Sequence, residues 1–115
     1  MLLPFLMLFT SVSIAGEADV VDVLTIRQSN GSFVFRVSVL HADEGWEHYA
    51  DAFEIVSLSG DILATRILAH PHVNEQPFTR STIMKLDPSI RTVIIRAKDK
   101  LHRYGGKMIE VTLPP

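Results

Sequence analysis

The chain has 115 residues, eleven Lys and Arg against thirteen Asp and Glu, and no cysteine. It is therefore long enough for one domain but not two. It cannot form a disulfide framework, a thiolate metal site, a cysteine nucleophile or a lipobox cysteine for a lipid anchor. With all its basic residues after position 16, balanced by acids, it has no cationic stripe to neutralise a phosphate backbone, so nucleic acid is excluded as an expected partner.

The first segment, MLLPFLMLFTSVSIAG, carries no ionised side chain. Its apolar stretch, Leu2 to Ile14, is shorter than the roughly 20 residues that cross a bilayer. Ser13-Ile14-Ala15 places small residues where a signal peptidase reads them. The expectation is a signal peptide over residues 1–15 and a single domain over 16–115, exported to the periplasm or the extracellular space, with no transmembrane segment after cleavage.

Seven runs rich in Val, Ile, Phe and Thr follow: Asp19–Gln28, Ser32–Leu40, Ala52–Leu58, Ile62–Ala69, Thr79–Leu86, Thr92–Ala97 and Lys107–Leu113. In the second, Phe33, Phe35, Val37 and Val39 share one face while Arg36 and Ser38 lie on the other, the signature of a half-buried strand. The fold class expected is all-β, a seven-stranded antiparallel sandwich of immunoglobulin or fibronectin type. Its core would be Phe33, Phe35, Val37 and Val39, joined by Ile55, Ile67, Ile94 and Val111.

The connections alternate in character. Asn30-Gly31, Ser59-Gly60 and Asp87-Pro88-Ser89 are short turns that need only reverse the chain. HADEGWEHYAD, HPHVNEQPF and KDKLHRYGG are long and chemically loaded. If successive strands reverse direction, these three leave one pole together, and every histidine lies there.

That convergence nominates His41, His48, His70, His72 and His102 as candidate metal ligands. His70-Pro71-His72 is a His-x-His triplet whose rings face one way in extended chain. Imidazole and carboxylate without thiolate suit Zn²⁺ or Cu²⁺. Asp43, Asp51 and Glu75 are candidates for partners of a ligand's far ring nitrogen or for alternative ligands, and Glu44, Glu47 and Asp99 lie close in sequence. For Asp51 a structural role, holding a basic side chain or capping the loop, is the expectation, and Arg80 is expected to pair with Glu75 or Asp51.

The loop aromatics Trp46, Tyr49, Phe78 and Tyr104 have two readings. They could form a platform that binds a protein or glycan partner, with the histidines structural, or a satellite core that orders long loops. No catalytic residue is expected: the chain has no Gly-x-Ser-x-Gly elbow, phosphate-binding glycine loop or His-Glu-x-x-His helix.

The stretches HADEGWEHYADAFEIV and HPHVNEQPFTRS, with His102 and Gly105-Gly106, resemble a family of small, exported, largely uncharacterised bacterial proteins. The resemblance implies a periplasmic address and a compact β domain, and brings no activity or ligand with it.

Overall fold

The computed structural model describes residues 16–115, so the expected signal segment and its cleavage site after Ala15 lie outside the described residues. The seven runs form seven strands: β1 (Asp19–Arg27), β2 (Ser32–Leu40), β3 (Ala50–Ser57), β4 (Ile62–Ile67), β5 (Phe78–Lys85), β6 (Thr92–Asp99) and β7 (Ile109–Thr112). All pair antiparallel, in a three-stranded sheet ordered β1-β2-β5 and a four-stranded sheet ordered β4-β3-β6-β7. The arrangement is that of a β-sandwich.

Alternation decides which side chains meet between the sheets. Phe33, Phe35, Val37 and Val39 of β2 are buried as a row and face Phe53 and Ile55 of β3 and Val93, Ile95 and Ala97 of β6 in one core. Burying such side chains stabilises the fold by about 1.5–3 kcal/mol each.

Two expected core residues lie elsewhere. Ile67 is 60% exposed, and Ile94 is only partly buried. Ile67 pairs with Ala52, and Ile94 with Val56, on the outer face of the four-stranded sheet. A strand that slips by one residue turns its whole side-chain set over. The register shift at Ile55/Val56 sets the parity of β4, and in the continuously apolar Val93-Ile94-Ile95 the sequence alone does not show which face is inner. Leu68, Val93 and Ile95 fill the inner positions, and Val111 packs against them half-buried.

The short turns have the chemistry their residues suggest. Gly31 and Gly60 adopt φ of 83° and 98°. Asp87 Oδ1 accepts from the Ser89 amide at 2.9 Å. The residues flanking the first and third turns line one cleft with Leu113, Pro114 and Pro115, so these turns and the end of the chain share a pole. The three long connections are joined to one another at the other pole. Gln76 bridges two of them, its Oε1 accepting from the His41 amide at 2.9 Å and its Nε2 donating to the His72 carbonyl at 2.8 Å. The Lys100 amide donates to the Tyr49 carbonyl at 3.2 Å, tying in the third.

Candidate metal centre

Three buried side chains converge where the loaded loops leave the sandwich: His41, His48 and Asp99. They form a group of three metal-capable residues among the described ones, each offering a ligand atom within 4.8 Å of the others. Each is placed by local backbone chemistry. His41 directly follows the last residue of β2. A tight turn over Gly45–His48, with Gly45 at φ 112°, folds the loop back and brings His48 beside it. The two rings meet edge-on with centroids 4.8 Å apart. Asp99 ends β6, where its Oδ1 accepts from the Leu101 amide at 2.8 Å and also from the His102 amide, an Asx-type turn that fixes the carboxylate.

The second oxygen, Asp99 Oδ2, is buried without a hydrogen-bond partner. It lies 3.6 Å from His41 Nε2 and 3.4 Å from His102 Nδ1, while His48 Nε2 lies 3.7 Å from Oδ1. Ligands placed tetrahedrally at about 2.0–2.1 Å from a common centre stand about 3.3–3.4 Å apart, close to these separations. The group could hold a metal ion.

The far nitrogens of the rings face carboxylates. His41 Nδ1 is 2.5 Å from Asp43 Oδ1, and His48 Nδ1 is 3.7 Å from Glu44 Oε2. Because an ionised carboxylate only accepts, Asp43 holds the ring proton of a neutral His41 on Nδ1 and turns the Nε2 lone pair toward Asp99. A carboxylate on the far nitrogen is the arrangement that orients metal-binding histidines. Asp43 is itself buried and fully engaged: Oδ1 also accepts from the Ala50 amide at 3.0 Å and Oδ2 from the His72 amide at 2.7 Å.

His102 stands at the rim, its side chain partly exposed and its ring 5.0 Å from that of His48. His70 and His72 form a separate pair, centroids 4.6 Å apart. The His72 ring stacks on Phe78 at 4.0 Å, and its Nε2 accepts from Arg80 Nη2 at 2.9 Å, which leaves that lone pair occupied. Burial above all, then the Arg80 charge and His70, hold His72 below the ordinary imidazole pKa, so the ring is neutral. His70 is exposed and 3.1 Å from the Pro71 carbonyl oxygen. The His70–His72 pair thus stands apart from the His41–His48–Asp99 group, and its link to that group runs through Asp43.

Of the other acidic candidates, Asp51 accepts from Lys98 Nζ at 3.1 Å and Glu75 lies 3.4 Å from Arg80. The four aromatics are dispersed. Trp46 is 65% exposed and meets the buried Tyr49 edge-on at 5.9 Å, with Phe78 in the core under His72. Tyr104 lies on the outer sheet face, its ring 4.0 Å from the Arg96 guanidinium and its hydroxyl donating to Glu54 Oε2 at 3.1 Å. Burial first, and the Glu54 hydrogen bond and charge next, push the Tyr104 pKa up.

Sequence reasoning noted Asp99 as a neighbour but did not nominate it. A signal was present: Val93, Ile95, Ala97 and Asp99 share the inner face of β6, so an acid continues an apolar stripe into the interior.

No family model matches the chain, and no solved structure matches it. It is 40% identical over 96 residues, 83% of its length, to a protein of Halomicrobium mukohataei named "Putative lipoprotein". The chain spans about half of that homologue, 47% of its length.

Proposed function

We propose that the chain is an exported, non-enzymatic β-sandwich protein that binds a divalent metal, Zn²⁺ or Cu²⁺, through His41, His48 and Asp99. The observation that carries the reading is Asp99 Oδ2, a buried carboxylate oxygen with no hydrogen-bond partner, 3.6 Å from the Nε2 of a histidine whose Nδ1 lies against Asp43. Buried acceptors without donors are costly, and a cation at their meeting point relieves them. Two imidazoles with a carboxylate suit zinc and copper over magnesium or calcium. His102 is a further candidate at the rim. The strand order supports the immunoglobulin or fibronectin-like assignment, with β4 paired beside β3 in the second sheet and three pairs of consecutive strands, β1–β2, β3–β4 and β6–β7, joined by crossovers between the sheets. The name of the homologue, and the apolar leader read from the sequence, support export.

Calorimetric titration of metal-free protein with Zn²⁺ and Cu²⁺ at neutral pH tests this. One ion per chain at micromolar affinity or tighter is expected, lost in His41→Ala/His48→Ala and kept in His70→Ala/His72→Ala. Absence of binding in the wild type overturns the reading. A second reading, a module that engages a protein or glycan partner, is favoured by the exposed Trp46 indole beside the loops. It would take the lead if the wild type bound neither ion and Trp46 fluorescence responded to a glycan or protein ligand.

A further inference from the structure

The residues before β1 do not continue along its sheet. Beyond a register shift between Val20 and Asp22, Asp19 and Val20 still pair with Leu40 and Val39 of β2, while residues 16–20 also run beside Gly105–Lys107 as a strap between the sheets. The Val20 amide donates to the Lys107 carbonyl at 2.8 Å, and the Lys107 amide donates to Asp19 Oδ1 at 2.7 Å. The strap ends inside the candidate centre. Gly16 is buried, and its carbonyl oxygen lies 3.1 Å from His41 Nε2 and 3.3 Å from His48 Nε2.

A carbonyl oxygen only accepts, as do a neutral ring nitrogen without its proton and an ionised carboxylate. With the His41 proton directed to Asp43, the Nε2 lone pair of His41, the Gly16 oxygen and Asp99 Oδ2 confront one another at 3.1 and 3.6 Å, measured from that nitrogen. These separations are those of ligands around one ion. A Cβ on Gly16 would stand 2.8 Å from both ring nitrogens of His102, so any larger residue here displaces that ring.

We propose that the Gly16 carbonyl oxygen is a ligand of the cation, so that the strap completes an N₂O₂ centre and docks where the ion sits. This rests on the metal reading above and adds a backbone donor, delivered by a segment that no side-chain motif marks. The strap and the ion then stabilise each other. Loosening the strap from outside the centre weakens metal binding without altering any ligand side chain.

Gly106 offers that handle, because a Cβ there would overlap the Ala18 carbonyl and lift the strap. Gly16-Glu17 is the one Gly-Glu pair in the sequence, so protein labelled with ¹³C-carbonyl glycine and ¹⁵N-glutamate reports the Gly16 carbonyl alone. On titrating Zn²⁺ into metal-free wild type, the Gly16 carbonyl resonance is expected to move stoichiometrically with binding. Gly106→Ala is expected to weaken Zn²⁺ about tenfold or more, and Gly31→Ala, at the opposite pole, to leave it unchanged. Zinc binding with an unmoved Gly16 resonance overturns the proposal and leaves the metal reading standing. So does a folded Gly106→Ala that binds like the wild type. If Gly106→Ala does not fold, the wild-type resonance decides alone, and absence of zinc binding in the wild type removes both proposals together.

Discussion

Asp99 Oδ2 lies 3.6 Å from His41 Nε2, both side chains fully buried, with no hydrogen between them when His41 is neutral. Replacing that oxygen with an amide nitrogen supplies one. Asp99→Asn is therefore expected to keep or raise the melting temperature of metal-free protein, since the oxygen that accepts from the Leu101 and His102 amides is retained. The same change should abolish stabilisation by zinc. At a hundredfold excess over its dissociation constant, a ligand stabilises by about 2.7 kcal/mol, roughly 10–20 °C for a domain of this size. Thermal melts with chelator and with Zn²⁺ check both signs, and a marked loss of stability in chelator would show that the carboxylate is satisfied without metal.

Asp43 has a different task, so its substitution should have a different signature. Asp43→Asn turns one of the two acceptor oxygens into a donor facing His41, the Ala50 amide or the His72 amide. An expected loss of about 1–3 kcal/mol in metal-free stability accompanies a 10–100-fold, order-of-magnitude loss of zinc affinity. Urea denaturation and calorimetry measure the two effects.

His72 should make metal-free protein acid-sensitive. Its pKa in the fold lies below the ordinary 6.5, so the unfolded chain binds a proton that the native ring refuses. Its contribution is complete above pH 6.5 and declines as pH falls toward the lowered folded value, below which it levels. His72→Phe, which keeps a ring against Phe78, should flatten this part of the stability profile relative to wild type. Parallel profiles in denaturant series from neutral to acid pH would contradict it.

Tyr104 titrates in the other direction. Burial and Glu54 hold its phenol protonated above the ordinary value of 10.0, and stability falls as pH rises through that range. In a Tyr49→Phe background, tyrosinate absorbance should show one late ionisation, and Glu54→Gln should bring it earlier. An unchanged titration in the double variant would deny Glu54 its part.

Phe35→Ala is expected to cost about 3–5 kcal/mol, because the ring is fully buried between the sheets and nothing beside it can refill the space. A denaturation midpoint equal to wild type would reject that placement.

Strand number, turns and the gathering of three loops were legible because alternation and turn residues are local signals. Phe33 to Val39 spelled out one face of β2, and Asn30-Gly31 marked a reversal. The face of Ile67 was not legible, since it depends on a register shift inside the β3–β4 hairpin that the turn residues do not announce. At the site, the meeting of His41 and His48 beside Asp43 followed from residue type and loop. The separation of the His70–His72 pair from them did not, because Arg80 and Phe78 engage the His72 ring from β5. The Gly16 carbonyl carried no signal, as a backbone oxygen is the same at every position until the fold selects one.

Gly16 sits among the histidines, whereas Pro114 and Pro115 line the cleft with Gly31 and Pro88 at the far end of the sandwich. The two ends of the described chain thus leave opposite poles. A pull applied between them runs along the strands and falls first on the Gly16 contacts with His41 and His48, then on the Asp19 and Val20 bonds to Lys107, before it reaches the core. If the upstream segment is held at a surface, the domain hangs from the same peptide that reaches His41 and His48. If Gly16 ligates a cation as proposed, mechanical load and cation occupancy act on a single joint, and the force needed to open it in a single-molecule experiment becomes a measure of the ion.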